Sequence, residues 1–404
     1  MIWSLLALPG VLVWLVILFL PWRPWRIRET LEAEAVEMPD LSRVTVLIPA
    51  RNEAEYISAT LKALEVQGTG FRIILIDDQS DDDTATAATA AGVGCLHVIR
   101  GDTVPAGWSG KLWALEQGRR LAETEILLLL DADVRLQPGL LAALVRKLDR
   151  ERLDMASLMV CLRMSGAWEK LLLPAFVFFF RLLYPFSLVN SAPSPVAAAA
   201  GGCLLIKRTA LDAAGGFAAI RGCLIDDCAL AGRVKSHGGR IWIGLTRSAH
   251  SQRRYDDFHG VREMVARNAF TQLQHSGPRL VLCTVLMLAA FPLPVIALAL
   301  PDLQAQLAGM LGLALMIACY LPTLRYYGLA PLWAGLLPVA GILFLAMTWT
   351  SAWRYLSGVG AAWKGRRYGS AGPVHGLKLP VGDRSNGRKG TGRGDATQGI
   401  KTGI

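Results

Sequence analysis

Residues 125–133 read EILLLLDAD: five aliphatic residues in an unbroken row, then two carboxylates flanking one alanine. The row is too short to cross a bilayer and fits a strand buried on both faces of a parallel sheet. In an open α/β sheet, ligands gather beyond the carboxyl ends of the strands, which is where Asp131 and Asp133 fall. Strand alternation would point both side chains the same way. Two carboxylates so placed can hold a hard divalent cation, Mg2+ or Mn2+, that also grips a diphosphate. The bland alternative is a polar turn that ends a strand, since a lone DxD is weak as a motif.

Outward from this stretch, short apolar runs alternate with amphipathic ones, as in βαβ units. The runs occupy 44–50, 72–76, 95–100, 125–130 and 155–162, and helical patterns fall at 53–65, 84–91, 110–122 and 138–150. A doubly wound α/β sheet is expected, with strand ends carrying PARNE (49–53), DDQSDDDT (77–84) and DAD. Asp77 and Asp78 thus close one strand as Asp131 and Asp133 close another, and both pairs would meet in one crevice. Capping of the next helix by Asp81–Asp83 is the structural alternative.

Later polar positions are fewer. Asp226 and Asp227 open a helix, where acids stabilise the N-terminus by about 0.3–1 kcal/mol; a carboxylate at the mouth of a metal site can also act as a general base. Lys111, in GWSGKLWAL, is either a solvated helix-start lysine or a partner for a phosphate or carboxylate. His250, Gln252, Arg253, Arg254 and Tyr255 follow the last apolar run of the domain. They form either a polar linker or a site in which an arginine holds a diphosphate and Tyr255 stacks on an acceptor.

The 404-residue chain is 53% hydrophobic, and its mean hydropathy of +0.38 puts part of it in lipid. The net charge of +10 is local: ten Lys/Arg against two Asp/Glu lie from Arg354 onward, leaving about +2 for residues 1–353. That distribution argues against nucleic acid as a partner and for a tail that is solvated or lies on anionic lipid. Seven scattered cysteines without C-x2-C spacing fit reduced thiols on the cytosolic side.

Residues 2–20 carry no charge and are followed at once by PWRPWRIR. An uncleaved anchor over 1–21 is expected, with Arg23, Arg26, Arg28, Trp22 and Trp25 at a cytoplasmic interface. The expected order is then a juxtamembrane linker at 22–40 and a catalytic domain at 41–250. An interfacial helix pair at 167–190 lies within that domain, because Arg181 sits mid-run. An amphipathic interfacial helix at 251–277, a membrane cluster at 278–353 and a basic disordered tail at 354–404 complete the chain. Three apolar runs (280–300, 307–324, 329–349) would leave the basic tail outside, against the positive-inside tendency. Either one of the runs is re-entrant, with the proline-containing last one the first candidate, or the tail is translocated despite its charge.

Taken in order, PARNE, Asp77 with DDQSDDDT, Lys111, DAD, GGC (201–203), IDDCAL (225–230) and QRRY (252–255) resemble the motif set of inverting family 2 glycosyltransferases with a GT-A fold. The flanking spans further resemble the hopanoid-biosynthesis-associated group, relatives of ceramide glucosyltransferases. The resemblance covers about residues 40–275. It implies a metal-dependent, hexosyltransferase-like enzyme of a bacterial-type inner membrane, multi-pass, with its catalytic domain cytoplasmic. Its donor would be a nucleotide-diphospho-sugar and its acceptor a lipid hydroxyl. By the same resemblance Asp77 contacts the base, Asp131 the ribose or the metal, Asp133 the metal, and Asp227 is the catalytic base. Pro49, Arg51, Glu53, Asp78, Lys111, Arg253 and Arg254 fall to the donor site, and Gly202, Asp226 and Tyr255 to the acceptor side.

Two departures stand out. Asp226 replaces the glutamate usual before the catalytic Asp, and Tyr255 stands where Q-x-x-R-W synthases have Arg. The second speaks against polymer synthesis. A polysaccharide or polyprenyl-phosphate glycosyltransferase remains the alternative enzyme, and a membrane scaffold or transporter the alternative class; few ionisable residues in the later runs argue against transport.

Overall fold

The computed structural model describes residues 2–35, 38–358, 361–363 and 366–368. The tail expected to be disordered lies outside the described residues from 359 on, apart from two short antiparallel strands, Ala361–Trp363 and Arg366–Tyr368.

One eight-stranded sheet forms the centre, built from β1 (Val44–Ala50), β2 (Arg72–Asp77), β3 (Leu96–Arg100), β4 (Ile126–Leu130), β5 (Val134–Leu136), β6 (Met155–Cys161), β7 (Cys203–Lys207) and β8 (Ile241–Ser251). Its order is β3-β2-β1-β4-β7-β6-β8-β5. Strands β1 to β4 are parallel neighbours. Strand β7 runs antiparallel to both β4 and β6, which makes the sheet mixed.

The β4 run alternates as its pattern requires. Ile126, Leu128 and Leu130 enter the core on one face, and Leu127 and Leu129 enter the core on the other. All five are at most 6% exposed, and burial of each such side chain contributes about 1.5–3 kcal/mol. Helices cover both faces: α1 (Ile2–Phe19) precedes the sheet, and α2 (Ile57–Glu65), α3 (Thr84–Ala90), α4 (Gly110–Leu121) and α5 (Leu140–Arg150) alternate with the first strands. Residues of α2, α3 and α5 fill the first core and residues of α4 the second.

Between β6 and β7 lie α6 (Ala167–Leu183) and α7 (Phe186–Val189); between β7 and β8 lie α8 (Arg208–Ala213) and α9 (Asp226–Ser236). After β8 comes α10 (Phe258–Gln272), which lies beside α6 on the floor of the domain. Trp168 packs on Phe258 at their starts, with centroids 5.3 Å apart, and Tyr184 hydrogen-bonds Gln272 at their ends. The remaining helices are α11 (Gly277–Ala290), α12 (Pro292–Leu298), α13 (Leu303–Tyr326) and α14 (Leu337–Leu356).

Three segments, Gly277–Leu298, Leu303–Tyr326 and Pro331–Leu356, are long and apolar enough to cross a membrane. Helix α1 is 18 residues, about 27 Å at 1.5 Å per residue. It packs into the same bundle, where the Trp14 indole donates to the Ala290 carbonyl at 2.8 Å.

The last apolar segment bends back on itself. Helix α13 ends at the domain, where the Tyr326 hydroxyl donates to Glu32 at 3.0 Å. Eleven residues later Leu337 shares a core with Trp14 and Phe291 inside the bundle. Gly341 lies so close to the Phe291 ring that a Cβ would come within 2.3 Å of it. From there α14 climbs along α11 to the floor, where the Ser351 hydroxyl accepts from the Phe270 N–H at 3.0 Å. Both guanidinium nitrogens of Arg354 donate to Glu263 of α10 at 2.7 Å.

The stretch expected to be a plain linker is strapped to the sheet. Leu31 donates to the Leu245 carbonyl at 3.0 Å and Leu245 to the Glu29 carbonyl at 2.9 Å. Glu32 accepts from the Ser248 hydroxyl at 2.7 Å and the Arg247 N–H at 2.9 Å, in addition to Tyr326.

Candidate active site at the strand ends

The register fixes which residues stand level. Ala50 pairs with Asp77 across β1 and β2, and Leu47 with Leu129 across β1 and β4, so the DAD turn begins beside Pro49. Strand β4 ends at Leu130, and the turn closes when Val134 donates to the Asp131 carbonyl at 3.1 Å. Asp131 and Asp133 therefore lie beyond the alternation of β4, and each carboxylate has partners of its own.

Asp131 faces Lys111. The Nζ donates to Asp131 Oδ1 at 2.8 Å and lies 3.9 Å from Asp226 Oδ2. Lys111 is presented here because Ser109 caps α4, its hydroxyl accepting from the Leu112 N–H at 3.3 Å. Burial alone would lower the ammonium, but Asp131, then Asp226 and Asp227, overcome it and hold it above the ordinary lysine range.

Asp227 sits on the same cluster. Its Oδ1 accepts from the Cys228 N–H at 2.7 Å. A Cβ on Gly201 would stand 3.2 Å from Asp227 Oδ2 and 3.5 Å from Lys111 Nζ, so a larger residue would fit only if the Asp227 side chain gave way. Burial, then the charge of Asp226, pushes the Asp227 carboxyl up to about 7, against the Cys228 and Gly201 N–H groups and Lys111. The cleft between Lys111, Gly201 and the two aspartates holds about 20 Å³, room for one water.

Asp133 has a different set of partners. Its Oδ2 accepts from the Ser251 hydroxyl at 2.7 Å and lies 3.5 Å from Arg253 Nε. Arg253 Nη2 also donates to both oxygens of Glu53, at 2.8 and 3.1 Å. Burial would lower the guanidinium, but Asp133 and then Glu53 hold it above the usual arginine range. Of the two arginines left open by the sequence, Arg253 joins the carboxylates, whereas Arg254 is exposed.

Arg51 braces the nucleotide-side loop by donating to the carbonyls of Asp78 and Gln79, each at 2.7 Å. Asp77 is buried and accepts from the Ser80 N–H at 3.1 Å, and Asp78 is 2% exposed. Pro49 lies within β1, and the Gly202 carbonyl accepts from the Asp131 N–H at 3.1 Å. Tyr255 stands between site and floor: its hydroxyl donates to the Met264 sulfur at 3.2 Å, and its ring packs among the membrane-side apolar residues.

Sequence reasoning missed three contributors. Ser251 is reached because β8 runs eleven residues and pairs with β5, a three-residue strand too short to carry a pattern. Gly201 was hidden beside Gly202. Glu169, 2% exposed, accepts from the N–H groups of Ser165 (2.7 Å), Gly166 (2.9 Å) and Tyr255 (2.9 Å), and so pins the 252–255 segment to α6. Its only sequence signal was a lone acid opening an apolar run.

Among the described residues no group of three or more His, Cys, Asp and Glu side chains gathers to hold a metal ion. Asp131 and Asp133 together still fit a hard cation of the kind shared with a substrate diphosphate, which takes one or two carboxylates from protein.

The Glycosyl transferase family 2 model matches residues 45–215, less than half of this chain. A 4,4'-diaponeurosporenoate glycosyltransferase of Staphylococcus haemolyticus is 36% identical over 96 residues, 23% of this chain and 24% of the relative. An uncharacterized glycosyltransferase of Mycobacterium bovis is 35% identical over 107 residues, 26% of this chain and 44% of the relative. The chain thus spans less than half the length of these curated relatives. The mannosyltransferase of Pyrobaculum calidifontis, solved with GDP-Man and Mn2+, covers 86% of this chain and 99% of its own at 20% identity, with a TM-score of 0.55. That likeness is one of fold, the GT-A fold with a mixed sheet.

Proposed function

We propose that the chain transfers a sugar, with inversion, from a nucleotide-diphospho-sugar to a hydroxyl of a membrane lipid. The observation that carries this reading is the cluster of Lys111, Asp131, Asp226 and Asp227 at the strand ends. The donor lies across the carboxyl ends of β1, β2 and β4, with Asp77 at the base and Arg51 bracing its loop. A divalent cation, Mg2+ or Mn2+, bound at Asp131 and Asp133 supplies positive charge to the diphosphate.

Asp227 takes the acceptor proton. A carboxyl raised to about 7 is a better base at neutral pH than an ordinary aspartate. Lys111 keeps Asp227 ionisable while it neutralises Asp131. Arg253, held rigid by Glu53, presents a fixed fork of donors beside Asp133, suited to charge developing on a leaving phosphate.

The acceptor enters along α6 and α10. Support comes from the aromatic pair Trp168 and Phe258 at the start of that floor, and from the staphylococcal relative, named for 4,4'-diaponeurosporenoate. Within lipids, a hopanoid alcohol is the acceptor that the motif resemblance favours. The catalytic domain faces the cytoplasm of a bacterial-type cell membrane, and α14, returning to the floor, leaves the basic tail on that same side, in keeping with the positive-inside tendency.

The test is product analysis. Purified full chain, a membrane lipid extract and a panel of nucleotide sugars should yield a lipid one hexose heavier by mass spectrometry. Asp227→Asn should lower its formation by about 10²–10⁴-fold; full activity of that variant would overturn the base assignment.

A further inference from the structure

Away from the strand ends, a cavity of about 140 Å³ opens where α1 leaves the bundle. Arg23, Arg26 and Arg28 of the strap line it with Arg181 of α6, and Glu29 is the only acid in the lining. Its depth relative to lipid is set by its neighbours. Leu12 and Phe19 of α1 are 62% and 76% exposed, which marks a lipid-facing helix ending at the cavity rim. Trp22 and Trp25 sit where tryptophan belts stand, and the Trp25 indole donates back to the Leu18 carbonyl at 3.1 Å.

Arg181 makes the cavity more than a basic patch. It is 2% exposed. Its Nη2 donates to the Arg26 carbonyl, while Nε and Nη1 are buried with no hydrogen-bond partner among the described residues. Burial pushes the guanidinium down to about 10, and Glu29 offsets this only in part. Buried, unpaired donors on a charged group are costly to keep, and a guanidinium's planar fork matches phosphate oxygens.

We propose that this cavity binds the phosphate of an anionic phospholipid headgroup, with Arg23 and Arg28 donating from its rim and Arg181 supplying positive charge beneath it. The occupant's acyl chains then lie along the exposed apolar face of α1. A lipid held there ties the strap, and through it β8, to the bilayer surface. Free inorganic phosphate carries the same oxygens but has no chains to place against Leu12 and Phe19, which is why the lipid is the assigned occupant.

The experiment uses full chain in detergent, titrated with phosphatidylglycerol, phosphatidylcholine or inorganic phosphate and read by native mass spectrometry. Phosphatidylglycerol should be retained at least about tenfold more tightly than phosphatidylcholine. Each rim arginine should be worth about fivefold, so Arg23→Gln with Arg28→Gln should weaken retention by about 25-fold, and Arg181→Gln should abolish it. The rim variants touch no core packing and keep the test sharp if Arg181→Gln fails to fold. Equal retention of the two lipids would overturn the assignment, as would rim variants that bind like wild type. Displacement of phosphatidylglycerol by millimolar inorganic phosphate, with the same arginine dependence, would make this a free-phosphate site instead.

Discussion

Replacing Lys111 with Met separates two roles that the geometry gives one ammonium. It neutralises Asp131 at 2.8 Å, and it stands close enough to Asp227 to hold that carboxyl down against burial and Asp226. Both Lys111 Nζ and Asp227 Oδ2 lie within 3.5 Å of the point a Gly201 Cβ would occupy. Removing an opposite charge at such range raises a carboxyl pKa by about one unit or more. With Asp227 at about 7 in the wild type, kcat/KM should fall tenfold per pH unit below neutrality, because only the ionised form accepts a proton.

In Lys111→Met that acid limb should move up by about one unit. At pH 7 the ionised fraction then drops from about one half to about one tenth, a loss of about fivefold from titration alone, and the loss should shrink by pH 9. The assay is the pH dependence of kcat/KM for labelled nucleotide sugar in detergent, with enzyme stability checked at each pH. If Lys111 acts only on phosphate, donor KM rises equally at every pH. An unmoved acid limb in an otherwise impaired variant would refute the coupling to Asp227.

Arg253→Lys should lower kcat/KM about 10- to 100-fold by steady-state kinetics, since an ammonium cannot span both Glu53 oxygens and reach Asp133; unchanged kinetics would count against a leaving-group role. Glu169→Gln should cost about 1.5–3 kcal/mol in denaturation, because three N–H donors lose a charged acceptor. Burial raises that carboxyl, but the three hydrogen bonds win and depress it. Its stabilisation is therefore full above the ordinary carboxylate range and fades as pH falls through the depressed value, so wild type and variant should converge on acidification. A protease site inserted after Leu356 should be cut from the membrane face that exposes the catalytic domain; cleavage from the opposite face would refute the return of α14 to the floor.

Much of this architecture was legible in the chain because burial on both faces leaves a mark. Ile126–Leu130 and Val44–Ala50 are continuous apolar runs, and they became the central parallel strands. What resisted reading was non-local or very short. Three residues of β5 carry no period, yet they end the turn that sends Asp131 and Asp133 to different partners. The reversal of β7 depends on where its edges find neighbours, which no local pattern encodes. The path of the last apolar segment hinges on Arg354 meeting Glu263, 91 positions away. Composition left open whether one run is re-entrant or the tail is translocated, and the meeting of Arg354 with Glu263 is the non-local contact that brings the end of α14 to the domain.

The seam between site and membrane rests on two acids, Glu32 and Glu169. Glu32 joins the strap, β8 and the end of α13. Glu169 joins the start of α6 to the residue two beyond Arg253. Glu169 takes its hydrogen bonds from backbone N–H groups alone, and Glu32 from an N–H and hydroxyls with Arg247 Nε 3.6 Å away, and these contacts offset the cost of burying each carboxylate. The consequence is mechanical. Helices α6 and α10, which would receive a lipid, cannot shift without moving Tyr255 and hence Arg253. The far end of α6 reaches back toward the base, since the charge of Asp227 is felt at the Tyr184 phenol. On the proposed function, a lipid lying along this floor would meet Trp168 and Phe258 at one end and Tyr184 at the other. Acceptor length and shape should then be discriminated by the floor, while the strand ends discriminate only the sugar donor.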